Sequence, residues 1–256
     1  MRTLEEATRI CERTGLALLS AEGLDGFHVG VGGYPAISAA SRSHGAPDRK
    51  GWGRYDAPGM TLYTAETRTC AFSEVLQDFR RRIDGREPLA VMAEAYDMTL
   101  EEFMDEVAEQ WAEKSFMGMG KLPASWRHRR RMYRISTAPD VQLVRLDHQS
   151  SLSAIERLCT PLLLEHGLNE LTLGTLHGEN REITTRIAER LRGVRLDDRS
   201  SPAGVHFTSK YAAGWCQGYW LESVGDSRLR VVTDDEILVG DTSLQTVAEM
   251  WGLRVF

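Results

Sequence analysis

The chain has 256 residues, 42% of them hydrophobic and 27% charged, with a formal net charge of −6. The composition is that of an ordinary folded domain, and the acidic balance argues against nucleic acid as the main partner, since nucleic-acid binders carry a basic face. Four cysteines without a Cys-x-x-Cys pair or zinc-ligand spacing give no metal site and fit free thiols in a reducing cytoplasm; no apolar run approaches the ~20 residues of a membrane helix, and Glu5 and Glu6 interrupt any signal-peptide run.

Residues 1–19 read as a helix: Thr3 and Glu6 have capping-box spacing, and Leu4, Ala7, Ile10 and Cys11 share a side. Phe27–Val31 reads as a strand. Residues 32–52 are rich in Gly, Ser, Pro and Ala and read as a long loop, of the kind that forms a lid or pocket rim. A Pro58-Gly59 turn leads into a short apolar strand at Met60–Tyr63. Thr67 or Thr69 then caps a helix over 70–83, with Phe72, Val75, Leu76 and Phe79 on one face. A second apolar run spans Leu89–Ala95. Thr99 and Glu102 form a capping box for a helix to Trp111, with Leu100, Phe103, Met104, Val107 and Trp111 aligned. Five large apolar residues on one capped helix need a partner surface, which points to self-association.

The one basic run, Trp126–Arg134 (WRHRRRMYR), reads first as a solvated charged edge beside an acidic helix, second as a phosphate-facing rim. Val141–Leu146 alternates like a strand. Leu152–His166 reads as a helix in which Pro161 demands a kink or a fresh start at Thr160. Glu179–Leu191 is a helix with Ile183, Ile187, Ala188 and Leu191 on its apolar face. Strands follow at Gly204–Thr208, Tyr219–Glu222 and Leu229–Val232, then a helix at Asp241–Trp251 with Gly252 placed to end it. Strands mixed irregularly with helices indicate an α+β fold with mixed or antiparallel sheets. No Gly-x-Gly-x-x-Gly follows a strand, and there is no Walker A motif.

The densest chemistry lies in Gly51–Glu74, where a cation (Arg54), an aromatic ring (Tyr63) and a carboxylate (Glu74) come from a loop, a strand and a helix. That grouping suits a pocket for an anionic, partly aromatic ligand. The run GRYDAPG…LYTAET…AFSEVL, followed downstream by LTLGTLHGENREITTRIAERLRG, AGVHFTSK and GYWLES, resembles the two halves of the RES domain, named for its Arg, Glu and Ser residues. The resemblance covers roughly Gly26 to Glu222 with gaps. It implies a single ADP-ribosyltransferase-like domain over 26–222, with a helical insertion at about 96–134. To this are added an N-terminal helical extension (1–25) and a C-terminal strand and helix (223–256) packed on the core.

The resemblance implies an enzyme that degrades NAD by breaking the nicotinamide–ribose bond, with water or phosphate as acceptor and no cofactor beyond NAD as substrate. It also implies a toxin held by a helix-turn-helix antitoxin. The catalytic set it implies is Arg54 on the pyrophosphate, Tyr63 beside nicotinamide, Glu74 on the ribose and Ser209 as a hydrogen-bonding partner. Tyr55, Lys210 and His28 join Arg54, Tyr63 and Ser209 as ligand contacts. Two positions depart from the family: His28 stands where an Arg is usual, and Lys210 follows Ser209 in place of Arg. Each residue has a plainer reading. Arg54 can pair with Asp56, Glu74 can sit at a helix N-terminus for its dipole, Tyr63 can be a half-buried strand tyrosine, and Ser209 can make a local turn. ADP-ribosyl transfer to a protein or nucleic acid, with the basic run as its acceptor groove, and an inactive NAD- or partner-binding module are the competing functions.

Overall fold

The computed structural model describes residues 4–46, 48–80, 93, 94, 96–110 and 120–256, with backbone alone for 107–110. Most of the Leu89–Ala95 run, the 81–83 end of the first capped helix and Trp111 lie outside the described residues.

The N-terminal segment is a hairpin, where the sequence reads as a helix. Strands β1 (Thr8–Ile10) and β2 (Ala17–Ser20) pair antiparallel, with Thr8 opposite Leu19. Gly15, at φ +77°, reverses the chain, and its N–H donates to the Cys11 carbonyl. Leu16 to Leu19 are buried on both sides, so the run lacks the alternation that betrays a strand. Asp197 clamps the turn by accepting from the backbone N–H groups of Arg13 and Glu12, the Cys11 thiol and Arg9. Residues 8–20 are therefore part of the main sheet and not a helical extension.

The remaining strands are β3 (Gly26–Val31), β4 (Met60–Ala65), β5 (Lys121–Leu122), β6 (Arg130–Thr137), β7 (Gln142–Arg145), β8 (Gly204–Thr208), β9 (Trp215–Leu221), β10 (Leu229–Glu236) and β11 (Arg254–Val255). Nine form one sheet in the order β1-β2-β7-β8-β9-β4-β3-β6-β10, antiparallel except for β7 beside β8. The mixed, largely antiparallel α+β expectation holds. A small parallel pair, β5 with β11, lies apart.

The helices are α1 (Arg68–Leu76), α2 (Leu100–Gln110), α3 (Ala124–His128), α4 (Gln149–Glu165), α5 (Leu173–Leu176), α6 (Arg181–Gly193) and α7 (Thr242–Trp251). Their apolar residues, including Phe72, Leu76, Ile155, Ile187 and Val247, meet Leu18, Val144, Val205 and Trp220 of the sheet in the larger core. The smaller core, around Leu62, Tyr133, Ile135, Leu143 and Tyr219, lies against Ile37 of the 32–52 loop and draws on no helix among the described residues. Both faces of the central strand β9 are thus covered, and it is buried at every position.

The caps follow the sequence. Thr67 accepts from Cys70 N–H to start α1, Thr99 and Glu102 close the capping box of α2, and Gly252 ends α7 in the left-handed region. The first capped helix is shorter than expected, giving way to a 3-10 turn at Gln77–Phe79, and Val75 is exposed. Pro161 does not restart α4. Thr160 Oγ1 donates to the Arg157 carbonyl at 3.3 Å, the acceptor that the missing proline N–H leaves free.

The basic run is structural. Buried Arg127 donates to the carbonyls of Phe256 and Ile237, and Arg130 stacks on Trp126. Arg131 pairs with Asp234 and Glu236, and Arg134 with Asp25. The acidic partner is strand β10, not a helix, and Arg127, Arg131 and Arg134 have partners within the fold.

His206 on β8 is 1% exposed, and both ring nitrogens lack hydrogen-bond partners. Burial lowers its pKa to about 4. The unfolded chain binds this proton below its ordinary pKa of about 6.5, while the folded chain holds the ring neutral until about 4, so stability is present above 6.5 and lost as pH falls through that window. Urea unfolding between pH 7 and 4 is expected to show a loss of about 3 kcal/mol that His206→Leu lacks.

Candidate functional site

A cleft of about 640 Å³ opens between β3, β4, α1 and the Gly51–Arg54 loop; His28, Arg54, Tyr63, Glu74, Arg181 and Cys216 are among its lining residues. A second hollow of about 550 Å³ lies at the N-terminus of α6, lined by Arg49, Asn180 and Glu182 among others. Lys50 and Arg181 border both.

The two motifs, 135 residues apart, meet at one hydrogen bond. Thr67 sets the start of α1, which places Glu74 two turns along on the side facing β9. Ser209 ends β8, and its Oγ accepts from the N–H groups of Tyr211 and Ala212, both at 3.1 Å. Those two donors occupy its lone pairs, so its one hydroxyl proton goes to Glu74 Oε1, at 2.6 Å. Ser209 therefore makes the local turn and the bond to Glu74 together. It does not line the cleft; it reaches the cleft through Glu74.

Arg54 is 7% exposed, and its Nε has no partner. A buried guanidinium normally has a carboxylate beside it. The carboxylate nearest in sequence, Asp56, is already occupied. It accepts from Arg42 Nε at 2.8 Å, Gly53 N–H at 2.8 Å and the Tyr63 hydroxyl at 2.9 Å. No ion pair reaches Arg54 among the described residues. Gly53 is required here, because a Cβ would fall 2.7 Å from Asp56 Oδ1. Burial and then the Arg54 charge hold His177 below the usual imidazole range.

Tyr63 lines the cleft, but its hydroxyl is spent on structure: it donates to Asp56 and accepts from Tyr55 N–H. His28 also lines the cleft. Its Nδ1 lies 2.8 Å from the Tyr63 carbonyl, so Nδ1 carries the proton, and burial lowers its pKa and keeps the ring neutral. It is a hydrogen-bond donor within the wall, not a substitute cation.

Two expected ligand contacts lie elsewhere. Tyr55 is fully buried, donates to the Leu176 carbonyl and packs edge-on against Phe207 at 4.7 Å, so its ring has no open face for a ligand. Lys210 pairs with Glu179 and lines neither hollow. Arg181, which sequence reading passed over, stands in both. Its signal was positional: it follows Asn180, whose side chain caps α6 and fixes the first residue of the helix at the cleft.

No family model and no curated protein matches the sequence. Among solved structures, the chain is similar to the crystal structure of the M. tuberculosis MbcT–MbcA toxin–antitoxin complex, at 11% identity and a TM-score of 0.44, over 89% of this chain and 88% of that chain. A likeness of that degree says nothing about the chemistry of the cleft.

Asp56→Ala strands the Arg42 guanidinium, the Gly53 N–H and the Tyr63 hydroxyl together. A loss of roughly 3 kcal/mol is expected in chemical denaturation.

Proposed function

We propose that the cleft binds NAD and cleaves the bond between nicotinamide and ribose, with water or phosphate as acceptor. The observation that carries this reading is the buried, unpartnered Arg54 guanidinium in the same cleft as the Ser209–Glu74 pair. A buried guanidinium with no ion-paired carboxylate among the described residues calls for an anionic ligand, and its fork suits phosphate oxygens.

The nicotinamide ring of NAD is a pyridinium. When the C1′–N bond breaks, its electron pair stays on nitrogen and the ring leaves neutral, so departure needs no proton donor. Positive charge grows on the ribose, as in glycoside cleavage. Glu74, oriented through the Ser209 hydroxyl, stabilises that charge directly or through a ribose hydroxyl. Tyr63 and the neutral His28 wall the nicotinamide end. Arg54 takes the phosphate next to the reacting ribose. Arg181, paired with Glu179 at 3.1 Å in the free protein, exchanges that carboxylate for the other phosphate and directs the adenosine half into the second hollow.

The sequence resemblance to RES toxins supports this assignment and extends it to a toxin that depletes NAD and is held by a helix-turn-helix antitoxin over the cleft. Transfer of ADP-ribose to a macromolecule rested on a free basic run, and those arginines have internal partners.

NAD turnover, with and without phosphate, tests the reading. In Glu74→Gln, Ser209 still has an amide oxygen to donate to, so folding is preserved, and nicotinamide release is expected to fall about a thousandfold. No release by folded wild-type protein in either buffer would sink the enzyme. Arg181→Ala is expected to raise KM for NAD by roughly tenfold or more, and to leave KM for nicotinamide mononucleotide, which lacks the adenosine phosphate, nearly unchanged.

A further inference from the structure

All four cysteines are buried and unpaired, but they are not equivalent. Cys11 donates to Asp197, and Cys159 lies in the helical core, where burial pushes its thiol up to about 11. Cys70 and Cys216 face each other, Sγ to Sγ 3.9 Å. Cys70 is in the first turn of α1, one turn before Glu74 on the same helix face. Cys216 on β9 lines the cleft, and its Sγ donates to Glu74 Oε1 at 3.8 Å, the oxygen that also accepts from Ser209. One thiol thus lies against the Glu74 carboxylate in the cleft lining, and the second lies directly behind it.

We propose that Cys70 and Cys216 form an oxidation site that takes hydroperoxides entering through the cleft, and that the resulting disulfide displaces Glu74 and closes down the cleft's chemistry. Cys216 sulfur attacks the nearer peroxide oxygen. The O–O bond breaks, the sulfur loses two electrons to become a sulfenic acid, and its thiol proton passes by way of Glu74 to the departing oxygen, giving water or an alcohol. Cys70 sulfur then attacks the sulfenic sulfur. The S–O bond breaks, the thiol proton joins the departing hydroxide, and a second water leaves with the disulfide formed. Cys70 needs no solvent access, because the sulfur it attacks is already its neighbour.

Closing the sulfurs from 3.9 Å to about 2 Å removes the thiol donor from Glu74 and draws the first turn of α1 toward β9. Glu74 rides on that helix one turn later, so its distance to a bound ribose changes. The hydrogen bond to Cys70, burial and the Glu74 carboxylate hold the Cys216 thiol above its ordinary range, so oxidation is slow at neutral pH and faster in alkali.

The cross-link stands alone; the loss of activity rests on the nicotinamide-cleaving reading. Reduced wild-type protein is treated with hydrogen peroxide, quenched, and measured by intact mass, by non-reducing peptide mapping and by NAD turnover. The expected result is a mass lower by two hydrogens, a Cys70–Cys216 linked peptide, and turnover reduced on the order of tenfold or more, all reversed by dithiothreitol. Cys70→Ala is expected to give no linked peptide, with Cys216 carried on to a sulfinic acid that dithiothreitol does not reverse. Sulfinic or sulfonic acid on the wild type without the linked peptide would overturn the site. A complete cross-link with unchanged turnover would overturn the control of Glu74. Reduced protein that releases no nicotinamide yet forms the cross-link refutes the enzyme reading and leaves the oxidation site standing.

Discussion

Asp56 takes hydrogen bonds from Arg42, Gly53 and Tyr63, and the character of the cleft depends on that commitment. A buried carboxylate with three donors has little capacity left for a fourth. Arg54, two residues earlier in the chain, is buried with no ion pair among the described residues. The same contacts tie the Gly51–Arg54 loop to β4 through the Tyr63 hydroxyl and to the 32–52 loop through Arg42, which also lies over the Trp52 ring. Arg49 stacks on that ring as well and pairs with Glu189 of α6. The long loop is thus pinned at both the sheet and a helix, a rim and not a free lid.

The sheet order supplies the other half of the site. β4 lies between β3 and β9, and β9 lies beside β8. One strand therefore brings Tyr63, its neighbour brings His28, and the far side brings Cys216 and the end of β8 at Ser209. α1 follows directly from β4 and crosses back over the sheet, so Glu74 lands above the seam between strands that are remote in sequence. The Ser209–Glu74 bond closes that seam. Beneath it the Cys216 thiol meets the same carboxylate oxygen and is backed by Cys70, the second member of the redox pair.

Local chemistry was legible wherever the partners were close in sequence. The Thr67, Thr99 and Asp241 caps, the Gly252 stop and the apolar face of α6 follow from spacing alone, because each depends on residues within one or two turns. The N-terminal hairpin was not legible. Its Leu16–Leu19 run is buried on both faces, and such a run carries neither the helical nor the alternating period. The basic run reads as a solvated charged edge beside an acidic helix, but Arg127 is buried and Arg131 meets Asp234 and Glu236 about a hundred residues later across an antiparallel pair.

Sequence by itself determined the α+β class, most helices with their caps, and the residues Arg54, Tyr63, Glu74 and Ser209 as a group worth bringing together. Only tertiary structure decided what each one does. Tyr55 and Arg54 are adjacent in the chain, yet one is sealed against Phe207 while the other lines the cleft, because side-chain direction in a loop is set by contacts that have no period. Arg54 has no ion pair among the described residues while Arg42 holds Asp56, and Arg181 enters the site because α6 begins at its edge. Charge pairing and cavity shape arise between segments far apart in the chain, and only the fold brings those segments into contact.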